Sequence, residues 1–333
     1  MQNYQIHTSS QETQPIVSFI ITYYNLPIQM LCECIDSILA LSLRSFEREI
    51  IVIDDGSEVS PMNELIGYGD DIIYVRQKNG GVSVARNTGL QMAKGKYIQL
   101  IDGDDTLIQA PYEHCLDIVR YSKDADVILF DFTHNPKEKA TSFDAPKRCG
   151  GSEFMRNNNM RGAACCCLFR NAVRSQLEFT PGICYGEDEE FTPQLLLRAE
   201  VVYDTNVKAY YYRERETSAV HQKDYASKQK RLNDAISVIR HLSMLGDRMP
   251  SNDRLAMQRR VAQLTMDYIY NIITLTRSRQ ELETRIKELH AEGFFPLPDR
   301  DYSQKYKWFR RMTNSSFGRN ILLCTLPYLK RER

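Results

Sequence analysis

The chain has 333 residues, with 43 basic and 43 acidic side chains and therefore a formal net charge of zero. Hydrophobic residues make up 42% of the sequence and charged residues 26%, which excludes intrinsic disorder as its main state. The balanced charge argues against a nucleic-acid-binding protein. The length predicts one large domain with an appendage, or two domains.

Neither end of the sequence has a targeting or membrane-spanning pattern. Residues 1–14 are polar and lack the basic and apolar regions of a signal peptide. The longest apolar run near the C-terminus, 321–329, is about half of the roughly 20 residues that span a bilayer. We therefore expect a disordered leader over 1–14 and a cytoplasmic protein.

From residue 15 onward, apolar strands alternate with amphipathic helices. Strands are predicted at 17–22, 50–54, 71–75, 96–101, 126–132, 163–169 and 207–213, and helices at 28–39, 81–95 and 189–199. This alternation predicts an α/β fold with a mostly parallel sheet flanked by helices. In such sheets, ligands bind beyond the carboxyl ends of the strands.

From about residue 225 the pattern is helical. One buried face is predicted from the spacing of Val261, Leu264, Tyr268, Ile272 and Leu275, and a polar cap residue is expected where the helix restarts at 250–253. We expect a leader at 1–14, a catalytic domain at 15–222 and a helical C-terminal region at 223–333. The C-terminal helices are also where we expect contacts in a homo-oligomer.

Acidic clusters follow two of the predicted strands, and a third begins a helix. They are Asp54-Asp55, Asp102-Gly103-Asp104-Asp105 and Glu187-Asp188-Glu189-Glu190. A single Asp in such a place often caps a helix. Three carboxylates within four residues repel one another unless a cation lies between them, and hard oxygen ligands favour Mg²⁺ or Mn²⁺.

Four sequence segments resemble the successive motifs of a known enzyme family. They are VSFIITYYN (17–25), IIVIDDGS (50–57), NGGVSVARNTGLQMAKGKYIQLIDGDD (79–105) and GEDEEF (186–191). In order and spacing they are similar to the motifs of inverting family 2 glycosyltransferases with the GT-A fold, of the type found in bacterial polysaccharide biosynthesis. The resemblance implies a GT-A, Rossmann-like sheet with a helical C-terminal extension.

The resemblance also implies roles for individual residues. Asp55 matches the carboxylate that accepts the uracil N3–H, with Asp54 supporting the turn. Asp104, with Asp102, matches the ligands of Mn²⁺ or Mg²⁺, and Asp188 matches the catalytic base, with Glu187 as its neighbour. The residues expected to bind the nucleotide are Thr22, Tyr23, Asn25, Asp54, Asp55, Gly81, Arg86 and Asp102. Glu187, Arg213, Arg215 and His221 are candidates for contacts with the diphosphate or the acceptor.

The implied reaction is a metal-dependent, inverting transfer of a hexosyl or N-acetylhexosaminyl unit. The donor is a nucleotide sugar, expected to be a UDP-sugar, and the acceptor is a carbohydrate or a lipid-linked carbohydrate in cell-surface polysaccharide synthesis. In this chemistry, a carboxylate takes the proton of the acceptor hydroxyl, and a cation neutralises charge on the leaving diphosphate.

Two alternatives remain open from the sequence. Residues 98–107, IQLIDGDDTL, also fit the signature of haloacid dehalogenase-type phosphohydrolases, with Asp102 as nucleophile and Asp104 as acid/base. That reading leaves the other three motifs unexplained. The second alternative is a catalytically inactive module that only binds sugar nucleotides.

The C-terminal segment 301–333 is basic and amphipathic. It has eight basic and two acidic side chains, interleaved with residues such as Trp308, Phe309, Phe317, Leu322 and Leu326. This composition suits a segment that lies on an anionic membrane surface, which would make the protein peripheral at the inner face of the cytoplasmic membrane. The alternative is that Trp308 and the leucines pack on the folded protein.

Overall fold

The computed structural model describes residues 14–137, 143–215, 224–300 and 302–328, which form a mixed β-sheet flanked by helices, followed by a helical region. The strands among these residues are β1 (Val17–Tyr23), β2 (Arg48–Asp54), β3 (Ile72–Arg76), β4 (Tyr97–Asp102), β5 (Thr106–Leu107), β6 (Val127–Thr133), β7 (Lys147–Cys149), β8 (Cys167–Arg170) and β9 (Val202–Tyr211).

The helices fall into two groups along the chain. Those around the sheet are α1 (Ile28–Leu39), α2 (Met62–Leu65), α3 (Val82–Met92), α4 (Gln109–Tyr121), α5 (Gly151–Asn157), α6 (Asn171–Arg174) and α7 (Glu187–Leu197). Those of the C-terminal region are α8 (Tyr225–Asp247), α9 (Ser251–Thr276), α10 (Arg279–Ala291), α11 (Gln304–Asn314) and α12 (Ser316–Thr325).

The sheet has the strand order β3-β2-β1-β4-β8-β6-β9-β5, with β7 also paired to β9. The half formed by β3, β2, β1 and β4 is entirely parallel. In the other half, β8 runs antiparallel to both of its neighbours, β4 and β6. The predicted α/β fold is confirmed, and its parallel character is concentrated in the first half of the sheet.

The central strands are buried on both faces because helices cover each side of the sheet. In β1, Phe19 and Ile21 pack in one core with α1 and α4, whereas Ile20 belongs to the core on the other face, with α3 and α7. Successive side chains of a strand point to opposite faces, so an uninterrupted apolar run such as VSFIIT serves both cores.

The register of the parallel strands brings polar residues together at one edge. Thr22 of β1 lies opposite Asp102 of β4, and Tyr23 lies opposite Asp54 of β2. Gly103 continues this edge, where its N–H donates to the Thr22 carbonyl at 2.9 Å. A Cβ at position 103 would lie 2.8 Å from that oxygen, so a larger residue would push the two strand ends apart.

The C-terminal helices build a third core of their own. The face of α9 predicted from its spacing is confirmed, since Val261, Leu264, Tyr268 and Ile272 are buried there. The expected polar cap is wrong: α9 starts directly after Pro250, and no side chain caps it. Among the described residues, no helix is both long and apolar enough to cross a membrane.

The amphipathic C-terminal segment packs largely on the protein. Phe309, Leu322 and Leu326 are buried in the C-terminal core, which corrects the expectation that they enter a lipid boundary. Trp308 and Phe317 remain 50% and 74% exposed. Residues 301 and 329–333 of the predicted segment lie outside the described residues, as do 1–13 of the predicted leader.

Most of the predicted strand ends lie within two residues of the observed ones, but two strands differ by more. The segment 163–169 begins with a 3-10 turn at Ala164–Cys166, and only then enters β8. The strand predicted at 207–213 starts five residues earlier and ends at Tyr211. The shift matters for the site, because Arg213 and Arg215 therefore lie beyond the end of the strand.

Candidate active site

A cleft of about 990 Å³ opens at the carboxyl ends of β1 and β4 and reaches the C-terminal helices. Most of the residues expected at the site line it. They are Thr22, Tyr23, Asp55, Gly81, Arg86, Asp102, Asp104, Glu187, Asp188 and Arg215. Asn25, Asp54 and Arg213 are not among the lining residues, and His221 lies outside the described residues.

Asp54 and Asn25 hold the loop after β2 instead of lining the cleft. Asp54 is fully buried, and its carboxylate accepts hydrogen bonds from the Ser57 N–H and the Tyr74 hydroxyl, both at 2.8 Å. The Asn25 side chain accepts a hydrogen bond from the Glu58 N–H at 2.8 Å. The predicted support of the turn by Asp54 is confirmed, whereas neither Asp54 nor Asn25 lines the cleft.

Asp55 lies in the cleft and organises the loop before α3. Its Oδ1 accepts hydrogen bonds from the Gln77 amide (2.7 Å) and the Gly80 N–H (2.9 Å), and its Oδ2 accepts one from the Gly81 N–H (2.8 Å). Gly81 has a φ of +86°, a conformation that favours glycine. A carboxylate oxygen has room for two hydrogen bonds, so Oδ2 retains an acceptor position.

Arg86 is the centre of the charge network at the site. Its side chain is 4% exposed and lies 5.2 Å over the Phe179 ring. Its guanidinium donates to Asp102 at 3.0 Å, to Glu187 at 3.1 Å and to Asp188 at 2.6 Å. Arg86 was expected to bind the nucleotide. It lines the cleft, and it also links the end of β4 to the start of α7.

Glu187 and Asp188 form the first turn of α7, which begins after Gly186. Burial and the charge of Asp188 raise the pKa of Glu187 to about 7, against the opposing effect of Arg86. Burial also raises the pKa of Asp188, although Arg86 again acts in the opposite direction. Asp188 also accepts a hydrogen bond from the Ala164 N–H at 3.1 Å. It is not the cap of its own helix, because the N-cap of α7 is Gly186 and no side chain caps that helix.

The second acidic cluster is divided between the cleft and its supporting layer. Asp102 and Asp104 line the cleft, and Thr22 donates to Asp102 at 3.3 Å. Asp105 is 2% exposed and accepts hydrogen bonds from the Tyr210 hydroxyl and the Arg213 N–H, both at 2.8 Å. Burial, followed by the charges of Asp102 and Asp104, raises the pKa of Asp105 to about 8.

The two arginines beyond β9 point in different directions. Arg213 pairs with Glu33 of α1 at 2.6 Å and does not reach the cleft, which corrects its assignment to the diphosphate or acceptor. Arg215 lines the cleft and pairs with Asp104 at 2.6 Å. Of these two arginines, Arg215 is therefore the one that an anion bound in the cleft can contact.

The carboxylates at the end of β4 fit a divalent cation that is shared with a substrate. Burial and the charge of Asp102 raise the pKa of Asp104, so added positive charge would stabilise its ionised form. In the described part of the chain, no group of three or more His, Cys, Asp or Glu side chains is arranged as a metal site. Mg²⁺ often takes only one or two carboxylates together with substrate phosphates, and Asp102 and Asp104 match that donor set.

The far wall of the cleft was not predicted from the sequence. This wall is formed by α8, α9 and α11, and its polar residues are Arg231, Arg260, Asp267, Asn271 and Tyr306. Tyr24 and Tyr185 also line the cleft. The helical periodicity of α9 predicted a buried face. The polar residue Arg260 within that buried helix was the sequence feature that could have predicted the wall.

The cleft therefore offers an acidic edge that is paired with Arg86 and Arg215, a partly buried pair of carboxylates in α7, and a separate polar wall. The acidic edge and Arg215 suit a diphosphate that carries a cation. A carboxylate with a raised pKa, such as Asp188, is a stronger proton acceptor than an ordinary one when it is ionised.

Residues 18–175 match the sequence model described as "Glycosyl transferase family 2". This match includes Asp102 and favours the glycosyltransferase interpretation of residues 98–107 over the phosphohydrolase alternative. An uncharacterized glycosyltransferase of Rickettsia prowazekii is 37% identical over 116 residues, which cover 35% of this chain and 36% of the relative. The minor teichoic acid biosynthesis protein GgaB of Bacillus subtilis is 25% identical over 215 residues, covering 60% of this chain and 23% of GgaB. The chain thus spans about a third or less of the length of these curated relatives.

The fold is similar to that of S. aureus TarS, residues 1–349, solved in complex with UDP-GlcNAc. The TM-score is 0.62 at 16% sequence identity, and the superposition covers 91% of this chain and 92% of TarS 1–349. At this identity the likeness concerns the fold, and it extends over both the sheet and the C-terminal helices.

Proposed function

Because this chain belongs to glycosyltransferase family 2 through residues 18–175, we propose that it transfers a sugar from a UDP-sugar to a carbohydrate hydroxyl. The observation that carries the proposal is the network around Arg86. One buried guanidinium joins Asp102, at the edge suited to the donor diphosphate, to Asp188, the candidate base. The group at the leaving diphosphate and the group that takes the acceptor proton would thus be held in fixed positions relative to each other.

Asp55 is the proposed recognition group for the nucleotide base. Its Oδ2 accepts one hydrogen bond from the Gly81 N–H and can accept a second from a ligand. Uracil presents an N3–H donor, whereas the same position of cytosine is an acceptor, so a carboxylate favours uracil. Thr22 and Tyr23 line the cleft beside Asp55 and supply further contacts.

Asp104 and Asp102 are proposed to hold Mn²⁺ or Mg²⁺ together with the diphosphate. When bound, such an ion acts as a Lewis acid that neutralises charge on the leaving group. Asp104 is paired with Arg215 in this structure, so Arg215 would transfer its hydrogen bonds to the diphosphate. An arginine suits this role because its guanidinium can bind phosphate oxygens in pairs.

Asp188 is proposed to take the proton of the acceptor hydroxyl. The acceptor oxygen then attacks the anomeric carbon from the face opposite the diphosphate, which leaves as the new glycosidic bond forms. A single displacement of this kind inverts the configuration. Arg86 keeps the Asp188 carboxylate in place through its 2.6 Å contact, and the transferred unit is proposed to be a hexosyl or N-acetylhexosaminyl group.

The acceptor is proposed to be a carbohydrate or lipid-linked carbohydrate of a cell-surface polymer. The relation to GgaB, described as a minor teichoic acid biosynthesis protein, supports this class of product. Because the chain covers only 23% of GgaB, the acceptor of that protein is not transferred to this chain.

The test is calorimetric titration with UDP, GDP and CDP, each with Mn²⁺ and with EDTA. We expect tight binding of UDP with Mn²⁺ and weak binding of CDP. Stronger binding of GDP or CDP than of UDP would contradict the role of Asp55. A screen of UDP-sugars for hydrolysis identifies the sugar, and binding of UDP without hydrolysis of any donor would favour the inactive sugar-nucleotide-binding alternative.

Contact with an anionic membrane is proposed only for the part of the C-terminal segment that stays exposed. Trp308 and Phe317 are exposed, and so is Arg311, which lies on the same side of α11 as Trp308. Aromatic and basic side chains together suit a lipid interface. Flotation with phosphatidylglycerol vesicles should show binding that the Trp308→Ala/Phe317→Ala double variant loses. Equal flotation of both proteins would contradict the proposal.

A homo-oligomer through the C-terminal helices stays a prediction. Light scattering coupled to gel filtration measures the mass in solution directly, and a monomeric mass at micromolar concentration would contradict it.

A further inference from the structure

The far wall of the cleft is built from one stripe of α9. Arg260, Leu264, Asp267 and Asn271 are spaced by four, three and four residues, so they lie on the same side of the helix. All four line the cleft. The rise of about 1.5 Å per residue places Asp267 about 10 Å along the axis from Arg260.

The polar residues of this stripe lie in an otherwise buried helix. Between Arg259 and Ile273, only Asp267, Tyr270 and Asn271 are even partly exposed. Polar groups in such surroundings are costly unless they are hydrogen-bonded. Tyr306 of α11 donates to both carboxylate oxygens of Asp267 at 3.4 Å, whereas the Asn271 carboxamide has no hydrogen-bonding partner among the described residues. Asn271 therefore offers both a donor and an acceptor to a molecule in the cleft.

The stripe begins next to the candidate base. Arg260 forms an ion pair with Glu189, the residue that follows Asp188, and donates to the Met160 carbonyl at 2.8 Å. A molecule that lies along α9 with one end near Arg260 therefore presents that end to the first turn of α7. Such a molecule would bring a hydroxyl group to the helix turn that carries Asp188.

The chemistry of the wall favours a neutral sugar. Asp267, Asn271 and Tyr306 supply donors and acceptors for hydroxyl groups, and Leu264 adds an apolar contact between Arg260 and Asp267. Asp267 would repel an anionic group, and the positive charge of Arg260 is offset by Glu189. The stripe itself thus favours a neutral ligand, whereas Arg215, which pairs with Asp104, suits a phosphate.

We propose that this stripe of α9, together with Tyr306, is a subsite for a neutral pyranose of the acceptor. The inference rests on the proposed function, because it identifies the acceptor end of the same cleft. It lies outside the part of the chain that matches the family model, which ends at residue 175.

The experiment is saturation-transfer difference NMR on the full chain with UDP and Mn²⁺ present. The probes are methyl β-D-glucopyranoside, methyl β-D-galactopyranoside and methyl N-acetyl-β-D-glucosaminide, with glucose 6-phosphate as the anionic probe. We expect at least one neutral glycoside to bind, and Asn271→Ala or Tyr306→Phe to weaken its binding by about three- to ten-fold, the effect of one lost hydrogen bond. The matched control is Asn252→Ala, the same change at an exposed position of α9.

The outcomes separate this inference from the proposed function. Failure of every neutral glycoside to bind the wild-type chain, stronger binding of glucose 6-phosphate, or unchanged glycoside affinity in both cleft variants would overturn the subsite. Calorimetry with UDP should give the same affinity for wild type and variants. If UDP fails to bind wild type while the glycosides bind and the cleft variants lose them, the subsite stands and the proposed donor is wrong.

Discussion

Replacing Arg86 by methionine should be among the most damaging single changes in the chain. Methionine has a similar length and fills much of the same space, but it cannot donate the hydrogen bonds to Asp102, Glu187 and Asp188. Three carboxylates would then lie together without the buried positive charge. Breaking a buried ion pair by removing one partner costs about 3–5 kcal/mol of unfolding free energy, and we expect a loss in this range.

The loss should also depend on pH in a defined direction. The pKa values of Glu187 and Asp188 are already raised by burial, and Arg86 opposes that rise. Without Arg86 these pKa values rise further, so the carboxyl groups bind protons more tightly in the folded than in the unfolded chain. The stability that these protonated groups contribute is present at low pH and is lost as pH rises through about 7. The loss of unfolding free energy in the variant, relative to wild type, should therefore be larger at about pH 8 than at about pH 5.5.

The assay is urea unfolding at both pH values, with Arg148→Met as the matched control. Arg148 pairs with Asp124 at 2.6 Å, the same distance as Arg86 and Asp188, but 55% of its side chain is exposed. Solvent weakens an exposed ion pair, so the control should unfold like wild type. Equal losses in the two variants, or a deficit at Arg86 that grows as pH falls, would refute the argument from burial.

Three further predictions concern activity. Asp188→Asn should leave the affinity for UDP unchanged and lower kcat by about 10²–10⁴-fold, as for loss of a general base, and a parallel loss of UDP binding would contradict this role. Asp104→Asn should abolish the gain in UDP affinity on adding Mn²⁺, because it removes charge at the proposed ion, and a persistent gain in calorimetry would place the ion elsewhere. The wild-type transfer rate should fall as pH drops below about 7, because burial raises the pKa of Glu187 to about 7 and also raises that of Asp188. An acidic limb near pH 4.5, the ordinary range of a glutamate, would show that neither group controls the rate.

Sequence periodicity predicted the parallel half of the sheet well, because its strands are short apolar runs and its pairing follows chain order closely. It did not predict that β8 would lie antiparallel between β4 and β6. That pairing joins segments about 40 to 70 residues apart, and no local pattern specifies it. In the segment 163–169, the apolar run that predicted a strand also covers a turn, in which the Ala164 N–H donates a hydrogen bond to Asp188.

The individual residues of the candidate site were named from the sequence, but the hydrogen-bond and ion-pair partners of their side chains were not. The carboxyl-terminal edge that carries Asp55, Asp102 and Asp104 follows from strand order and register. Two of the three partners of Arg86 come from α7, about 100 residues away, so the local sequence around this arginine gave no sign of those ion pairs. Arg213 and Arg215 differ in direction because the chain beyond β9 is irregular, where strand alternation no longer applies.

The C-terminal segment shows why an amphipathic pattern does not identify its partner. One apolar face suits either a lipid boundary or a protein core, and the sequence does not distinguish the two. Phe309, Leu322 and Leu326 pack in the protein core, since α9 offers them a matching apolar surface. Arg319, counted among the basic residues of a lipid-binding segment, instead pairs with Glu283 at 2.8 Å.

The cleft draws its walls from two stretches of chain that are far apart in sequence. The edge formed by β1 and β4 lies within the family match, and the wall formed by α8, α9 and α11 lies wholly after it. Mutations in the downstream helices can therefore reshape one side of the cleft while the residues of the other side keep their hydrogen bonds. Under natural selection, the ligand that binds at the helical wall can therefore change while the ligand that binds at the sheet edge stays the same.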